Sequence, residues 1–418
     1  MTRRIVVIGA GIVGVSTAIE LLRDGHDVTI VEPEAPGGQQ AASFGNGAWI
    51  SPSSVVPMSM PGLWRKVPGF LSDPLGPLTI RWTQLPHLAD WLARFVRAGS
   101  TVPRVERTAR ALSALLCDAP ARHARLSAEA GDPDWVRNEG LLYVYPDRAA
   151  FEAEALAWRL RRENGVEWVE LDRGELHDLE PTIGPRYTFG AFVRAGAHCI
   201  DPGGYVAALA RHAAERGARL VPARATGFAQ DGGQLKAVRV EGGPDIPCER
   251  AVIAAGINSR ALARKAGDHI PMVSERGYHV EVTNPTVRPR IPSMPSDGKM
   301  GNTLTRTGLR ASGQVELTRL GAPPNWKRAD ILLENLAKTF PGLAIDPESV
   351  TRWMGNRPST PDGLPVIGTS SKAPGVIYAF GHGHVGLASG PKTGALVADV
   401  VAGRMPQVPL EPYSPTRF

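Results

Sequence analysis

The sequence contains little cysteine and no long apolar run. Its three cysteines, Cys117, Cys199 and Cys248, lie far apart and form no Cys-x-x-Cys pair. An odd, scattered set of this kind argues against a disulfide framework and against a zinc site, and it is typical of a reducing compartment. No stretch reaches the ~18 apolar residues that a membrane-spanning helix needs. We therefore predict a cytoplasmic protein without a membrane span.

The beginning of the chain imitates a secretory signal, because a basic start precedes the apolar run in MTRRIVVIGAGIVGVSTAIELL. Glu20 interrupts that run, and no small-residue cleavage site follows it. The next segment, HDVTIVEPE, continues the pattern of a folded domain. We therefore interpret this end of the chain as part of the fold.

The sequence also lacks a run of basic residues. Its 47 Lys and Arg against 41 Asp and Glu give a formal net charge of +6, spread along the chain. A scattered excess of this size is weak evidence for a nucleic-acid partner, and we predict none. It is compatible with an acidic substrate or with peripheral contact with the inner membrane, although a solvated basic surface is the simpler explanation.

The first 31 residues predict a strand, a tight turn and a helix that bind a dinucleotide. The apolar run 5–8 is typical of a strand buried on both faces. Gly9, Gly11 and Gly14 follow with the spacing Gly-x-Gly-x-x-Gly. Gly9 permits the turn, Gly11 lets the backbone approach a pyrophosphate, and Gly14 lets the helix pack against the strand. The amides at the start of the helix would then face the phosphates.

A second strand, 28–31, ends at Glu32, which stands 18 positions after Gly14. A carboxylate at this distance holds the ribose hydroxyls of an adenosine and disfavours a 2′-phosphate. A lone Gly-x-Gly-x-x-Gly is a weak signal, but one between strand and helix with this acid is specific. The fingerprint leaves NAD and FAD open.

The segment after Glu32, PGGQQAASFGNGAWISPSS, is polar and rich in glycine. A protein that binds NAD would normally continue with further βα units, whereas this loop suits a longer ligand lying extended across the protein. Ser43, Asn46 and Gly47 could bond the inner phosphate or the flavin edge. An ordinary surface loop would have the same composition.

The rest of the chain predicts an α/β protein whose nucleotide-binding domain is discontinuous. Its 418 residues exceed the size at which one hydrophobic core normally divides, so we expect two domains. Apolar spacing predicts helices over ~90–130 and 147–164. The predicted FAD-binding domain comprises residues 1–88, 198–270 and 355–418, and the predicted substrate domain comprises residues 89–197 and 271–354.

Six motifs together resemble a known family. They are VIGAGIVGVSTAIELLRDGHDVTIVE, ASFGNGAWISP, DPGGYVAALA, VIAAG, RPSTPDGLPVIG and GHGHVGLASGPKTG, and they span essentially the whole chain in order. The chain resembles the FAD-dependent amino-acid oxidoreductases, which include D-amino-acid oxidase, glycine and sarcosine oxidases, and bacterial D-amino-acid dehydrogenases. It is most similar to the last group and to D-hydroxyproline dehydrogenases. The resemblance implies a Rossmann-like FAD domain of glutathione-reductase type and an α+β substrate domain with a mixed sheet.

The resemblance also implies that the cofactor is FAD. The stretch TRWMGNRPST, before PDG, lacks the cysteine through which some relatives attach the flavin, so FAD should be non-covalent. The glycine-rich loop 381–387 should lie at the flavin ring, where the amides and the positive end of the next helix stabilise the reduced flavin. The predicted FAD contacts are Gly9, Gly11, Ile12, Val13, Gly14, Glu32, Ser43, Asn46, Gly47, Ala48, Ala225, Ala255, Gly256, Gly383, His384, Val385, Gly386 and Leu387.

Several residues are candidates for the substrate site. Arg357 matches the family position that binds the substrate carboxylate, although a salt bridge is the alternative. Arg306 is a second candidate cation. Tyr278 and His279 lie on opposite faces of a strand, and we prefer His279 by similarity, with a packed histidine as the alternative. His384 could face the substrate or pack within its loop.

His382 and His384 form a His-x-His pair that could ligate a metal. The sequence offers no adjacent carboxylate or cysteine, so we predict no metal.

The resemblance implies oxidation of a D-amino acid by hydride transfer to the flavin, with electrons passed to a quinone or another carrier. The apolar loop 52–70 and His384 leave open a cyclic D-imino acid, such as D-proline or cis-4-hydroxy-D-proline. An alternative is an oxygen-using amine oxidase of the glycine and sarcosine type, which makes hydrogen peroxide. A third alternative, of a different class, is a non-catalytic FAD-binding protein. The sequence leaves the oligomeric state open.

Overall fold

The computed structural model describes residues 2–63, 78–80 and 85–418. Residues 64–70 of the predicted apolar loop 52–70 therefore lie outside the described residues. The helices of the described residues are α1 (Ile12–Arg23), α2 (Leu85–Ala98), α3 (Val102–Leu116), α4 (Ala119–Glu129), α5 (Arg148–Glu152), α6 (Ala155–Glu163), α7 (Arg173–Leu179), α8 (Pro202–Glu215), α9 (Ser259–Lys265), α10 (Lys327–Thr339) and α11 (Gly386–Ala402).

The helical stretch predicted over ~90–130 consists of α2, α3 and α4, and that predicted over 147–164 consists of α5 and α6. The strands are β1 (Arg4–Ile8), β2 (Asp27–Val31), β3 (Trp49–Ile50), β4 (Leu78–Ile80), β5 (Val136–Arg137), β6 (Leu141–Tyr145), β7 (Val169–Leu171), β8 (Phe189–Val193), β9 (Ala197–Cys199), β10 (Arg219–Val221), β11 (Ala225–Asp231), β12 (Gln234–Val240), β13 (Ile246–Pro247), β14 (Arg250–Ile253), β15 (Val273–Thr283), β16 (Ser293–Pro295), β17 (Gly301–Leu304), β18 (Gly308–Leu317), β19 (Val350–Ser359), β20 (Val366–Thr369) and β21 (Val376–Phe380).

A six-stranded sheet carries the dinucleotide fingerprint. Its order is β10-β2-β1-β14-β21-β20, and its pairings are parallel except for the antiparallel pair β20–β21. The four apolar residues of β1 are buried. Burial of each such side chain contributes about 1.5–3 kcal/mol to the free energy of folding. The strand β14 lies inside the sheet, between β1 and β21.

Two helices cross closely beside this sheet. A Cβ on Gly394 of α11 would lie 2.8 Å from the Ser16 backbone of α1, so only glycine allows this approach. The start of each helix is thereby held at the carboxyl edge of the parallel strands, where nucleotide ligands bind in open α/β sheets.

A second sheet has nine strands of mixed direction. Its order is β19-β15-β18-β17-β16-β6-β8-β7, with β4 paired to β18. The helix α10 packs on it through buried leucines, including Leu332 and Leu336. The strands β15, β18 and β19 of this sheet line one side of the cavity described below.

Candidate functional site

A cavity of about 1390 Å³ lies between the two large sheets and is named here the central cavity. Pockets for drug-sized ligands measure about 300–1,000 Å³, so this volume has room for a dinucleotide and a small substrate together. Its walls combine the edge of the six-stranded sheet, the loop after β2, the loop before α11, and the strands β15, β18 and β19.

The glycines of the fingerprint have different surroundings. A Cβ on Gly14 would lie 1.9 Å from the Gly9 carbonyl oxygen, so Gly14 allows α1 to pack against the turn. Gly9 has a φ of 107°, which favours glycine. A Cβ on Gly11 would meet Ser43 Oγ at 3.5 Å and would otherwise face the cavity. Gly11 thus leaves the start of α1 open to a phosphate group, as the fingerprint requires.

Glu32 lines the central cavity at the end of β2. Its Oε2 accepts a hydrogen bond of 2.9 Å from the Ala10 amide, which fixes the carboxylate beside the glycine turn. Burial raises the pKa of Glu32, and the hydrogen bonds from the Ala10 and Glu34 amides act against that effect. One carboxylate oxygen is therefore held by the turn, at the end of β2 where the dinucleotide fingerprint expects an acid.

The loop after β2 is folded back onto α1. Ser43 Oγ accepts a hydrogen bond of 3.2 Å from the Ile12 amide, which places Ser43 at the start of the helix. Asn46 Oδ1 accepts one of 2.8 Å from the Ala48 amide. Ala48 is fully buried and does not line the cavity, so its side chain is not placed to contact FAD as predicted.

A buried ion pair supports this loop, and sequence reasoning missed it. Arg310 Nη1 donates hydrogen bonds of 3.1 Å to the carbonyls of Phe44 and Asn46. Arg310 Nε donates to Glu281 Oε2 at 2.8 Å, so the carboxylate balances the buried guanidinium. Glu281 on β15 and Arg310 on β18 each lie between apolar residues. This pattern indicates that both positions are buried, but it does not indicate that the two side chains pair with each other.

The glycine-rich loop before α11 is held to β19. His382 pairs with Ser359 as an isolated β-bridge, and His382 Nε2 lies 2.9 Å from Thr393 Oγ1. Burial lowers the pKa of His382 to about 3, so the ring is neutral and structural. The first turn of α11 reaches the cavity through Gly386 and Leu387.

The remaining predicted FAD contacts line the central cavity. The structure brings together Ile12, Val13, Gly47, Ala225, Ala255, Gly256, Gly383, His384 and Val385 at its walls.

Arg357 also lines the cavity, from β19. Its Nη1 donates a hydrogen bond of 3.2 Å to the Gln314 carbonyl. The guanidinium lies against Gly277 of β15, where a Cβ would come within 2.2 Å of Arg357 Cζ. Burial lowers the pKa of Arg357, whereas the charge of Glu275 raises it. Arg357 is therefore a partly buried cation with a face toward the cavity.

Glu275 is the residue of this site that sequence reasoning missed. It is directly paired with Arg357 across β15 and β19, and its Oε1 lies 3.8 Å from Arg357 Nη1. The same oxygen contacts His384 Nε2, and Oε2 accepts a hydrogen bond of 2.8 Å from Ser359 Oγ. Burial alone would raise the pKa of Glu275, but His384, Arg357 and the Ser359 hydroxyl outweigh it and hold that pKa at about 2. Glu275 is thus a buried carboxylate ion.

The structure corrects two predicted site residues. His279 shares the strand face of Glu275 and Gly277, but its ring stacks on Trp353 at 5.2 Å and its Nδ1 lies 3.3 Å from the Gly45 carbonyl. These neighbours cover His279, so it braces the loop after β2 and does not line the cavity. Burial lowers its pKa to about 3.

Tyr278 does not line the cavity either, because it points to the opposite face and its hydroxyl donates to Glu316 Oε2 at 2.7 Å. Arg306 lies outside the cavity as well. Its side chain is half-exposed, stacks on Trp135 at 4.5 Å and pairs with Asp132 at 3.5 Å. The structure therefore does not bring Arg306 to the cavity that Arg357 lines.

Two absences hold for the part of the chain that the structure describes. No group of three or more His, Cys, Asp and Glu side chains has a geometry that could hold a metal ion. His382 and His384 turn toward Thr393 and Glu275, respectively. No helix among those residues has both the length and the apolar composition to cross a membrane.

Fold and cavity together define a dinucleotide-binding α/β protein with a second, mixed sheet beside the cavity. Residues 4–400 match the family described as FAD dependent oxidoreductase. A D-amino-acid oxidase from Bradyrhizobium diazoefficiens is 50% identical over 418 residues, which covers 100% of this chain and 99% of that one. A D-amino acid dehydrogenase from Paramagnetospirillum magneticum is 30% identical over 99% of each chain.

Solved structures show the same fold. L-proline dehydrogenase from P. horikoshii superposes with a TM-score of 0.76 at 21% identity, covering 100% of this chain and 98% of that one. Glycine oxidase from Geobacillus kaustophilus superposes with a TM-score of 0.73 at 21% identity, covering 100% of both chains. The chain belongs to the FAD dependent oxidoreductase family.

The residues of the central cavity fit FAD. Gly11 leaves the start of α1 open, Glu32 is fixed for the ribose, and the α11 terminus reaches the other part of the cavity. Bound FAD would be held by these groups and by Ser43, and would supply a hydride acceptor at the site.

Proposed function

We propose that this chain oxidises the α-carbon of a D-amino acid or a cyclic D-imino acid, with Arg357 as the anchor of the α-carboxylate. The observation that carries the proposal is the partly buried guanidinium of Arg357 on the wall of a cavity that fits FAD. A guanidinium offers a carboxylate two parallel hydrogen bonds, which fix the substrate in one orientation. The D-configuration is supported by the names of the relatives that are 50% and 30% identical.

The residues of the chain have separate tasks in this proposal. Arg357 holds the carboxylate, and its bond to the Gln314 carbonyl fixes the guanidinium at the strand surface. Neighbouring walls limit the space around the α-carbon, so that it faces the hydride acceptor rather than water. The oxidation product is an imine, which water converts to a 2-oxo acid unless the nitrogen belongs to a ring.

The proposed FAD is non-covalent. The support is that the three cysteines do not line the cavity: Cys199 and Cys248 are buried elsewhere, and Cys117 follows α3. Burial raises the pKa of both buried thiols to about 12, which disfavours the thiolate that a covalent link would need.

The electron acceptor has two candidates. Transfer to a quinone or another carrier is supported by the relatives named dehydrogenases, which are 26–30% identical. Molecular oxygen is favoured by the 50% identity to a protein named an oxidase. The two acceptors predict different fates for the reduced protein in air.

Anaerobic bleaching of the purified holoprotein tests the proposal. The panel contains D-alanine, D-arginine, D-proline, cis-4-hydroxy-D-proline, glycine, sarcosine and the L-enantiomers. We expect a D-compound to bleach the visible flavin absorbance, and Arg357→Ala to weaken its binding by about 10- to 100-fold. Fast recolouring in air with peroxide identifies oxygen as the acceptor, whereas slow recolouring with rapid dye reduction identifies a carrier.

A yellow protein that nothing on the panel bleaches would contradict the proposal and support a non-catalytic FAD-binding protein. Bleaching by glycine or sarcosine alone would point to the amine oxidase alternative. Release of the flavin on denaturation checks that its attachment is non-covalent.

A further inference from the structure

The ring of His384 is held by a buried carboxylate beside the proposed carboxylate anchor. Nε2 of His384 faces Glu275 Oε1, while His384 itself lines the central cavity and is partly exposed there. Among the described residues, no hydrogen bond engages Nδ1, the opposite ring nitrogen. With Nε2–H donating to Glu275, Nδ1 carries a lone pair and can accept a proton.

We propose that His384, oriented by Glu275, accepts the ammonium proton of the bound amino acid. This inference rests on the proposed function. The transfer breaks one N–H bond of the ammonium and forms one N–H bond at Nδ1 of His384. The substrate nitrogen keeps the electron pair of the broken bond, which it needs to form the C=N bond as the α-carbon is oxidised. His384 touches the substrate, and Glu275 is a positioning residue.

The charges of the site support this transfer. Without Glu275, a protonated His384 would stand beside the cation of Arg357 in a partly buried site, which is unfavourable. The carboxylate of Glu275 lies between them, 3.8 Å from Arg357 Nη1 and in contact with His384 Nε2. Glu275 can therefore stabilise the imidazolium, as a carboxylate does behind a catalytic histidine.

Other groups near His384 do not compete for the proton. Glu275 on β15 contacts His384, and Arg357 on β19 lies near the same oxygen of Glu275. His382, two residues away, is fully buried against Thr393 of α11, and its pKa of about 3 keeps it neutral. The Ser359 hydroxyl donates to Glu275, which strengthens the carboxylate as an ion.

The first test compares Glu275→Gln and His384→Gln with the parent holoprotein. The measurement is the anaerobic rate of flavin reduction at low substrate concentration as a function of pH, with D-alanine or the panel compound that reduces the parent fastest. We expect each variant to lose on the order of 100-fold at neutral pH, because positioned acid–base groups contribute about 10²–10⁴-fold. The loss should shrink as the pH rises, since the substrate then arrives with a neutral amine.

A matched control is Glu139→Gln, which alters another Glu–His contact, 3.8 Å from His198 and outside the cavity. Its pH profile should equal that of the parent. Isobutyrate, a carboxylate without an amine, should bind the parent and both site variants with similar Kd. Two outcomes would overturn the inference. In the first, the pH profiles of the variants coincide with that of the parent. In the second, the reduction rates of the variants fall by the same factor at every pH and isobutyrate binds more weakly.

A second test compares the parent holoprotein with His384→Gln. The probe is 2-aminoisobutyrate, which carries an ammonium group but has no α-hydrogen to lose. Calorimetry in buffers of different ionisation enthalpy measures the protons released on binding. At neutral pH we expect almost no release from the parent, because the ammonium proton moves to His384. His384→Gln lacks this acceptor, so it should release a proton to the buffer or bind the probe more weakly.

Equal proton release and equal affinity for the probe in the parent and in His384→Gln would contradict the role of His384. The proposed function would remain intact if a D-compound bleaches the parent. Failure of every panel compound to bleach the parent would overturn the proposed function and this inference together.

Discussion

The substitution Gly277→Ala displaces the proposed carboxylate anchor without touching it chemically. An added Cβ would lie 2.2 Å from Arg357 Cζ, 2.2 Å from Nη2 and 2.3 Å from Nη1. The clash therefore falls on the far end of a flexible side chain, which can swing away. Because Gly277 has no positive φ, alanine fits its backbone. The free energy of unfolding should fall by about 1.5–3 kcal/mol, because Arg357 loses contacts with Glu275 and with the Gln314 carbonyl.

The expected cost appears in binding. Hydrogen bonds to charged groups contribute about 1.5–3 kcal/mol, so loss of one such bond to the α-carboxylate should raise Kd by about 10- to 100-fold. The assay is titration of the holoprotein with isobutyrate and with the best D-amino acid, followed through the flavin spectrum. Thermal unfolding, measured on the same samples, checks that the fold is retained.

Gly227→Ala is the matched control, because Gly227 also lies in a strand and a Cβ there would meet nothing within 4 Å. It should bind both ligands as the parent does. The reasoning is refuted if Gly277→Ala is folded and destabilised as expected but binds isobutyrate with the parent's Kd. Arg357 would then not be the group that holds the carboxylate.

Three further predictions concern the cofactor, a corrected residue and acid stability. Glu32→Ala should weaken FAD binding by about 10-fold or more, because charged hydrogen bonds to the cofactor are lost. The flavin lost on ultrafiltration measures this effect, and full retention would contradict the role of Glu32 in holding FAD. Arg306→Ala should leave kcat/KM unchanged, since its side chain lies on Trp135 outside the cavity, and a large loss would restore Arg306 to the site. Because the folded state lowers the pKa of Glu275 from 4.5 to about 2, ionised Glu275 stabilises the fold above its unfolded pKa, and this contribution is lost as the pH falls toward about 2. Glu275→Gln should therefore be less stable than the parent near neutral pH, with a difference that shrinks between about pH 5 and pH 2 in denaturant unfolding; a pH-independent difference would contradict the charge argument.

Local patterns were enough to predict the strand–turn–helix unit that carries the proposed nucleotide end of the site. Gly9, Gly11 and Gly14 act within one strand–turn–helix unit, whose geometry depends on residues close in sequence. Glu32 follows the next strand of the same unit, so its distance from the turn is also fixed locally. The structure places all four as such a unit requires, with Glu32 bonded to the Ala10 amide.

Strand alternation predicted less about the substrate end. It correctly separates Tyr278 from His279, but it cannot show that Trp353 and the Gly45 carbonyl cover His279. A strand pattern gives the face of a residue and not what packs on that face. The prediction that Arg306 lies at the substrate site was also limited by distant contacts. Its partner Asp132 comes from a remote part of the chain, which no local pattern indicates.

The sequence by itself therefore determined the dinucleotide unit, the family resemblance and the cationic candidate Arg357. Only the tertiary structure decided that Glu275 stands between Arg357 and His384. Glu275 and Arg357 become neighbours through the pairing of β15 with β19, and His384 arrives from a loop 109 residues away in sequence. Such contacts depend on strand order and loop closure, which no local pattern encodes, because the energy that fixes them comes from burial across the whole sheet.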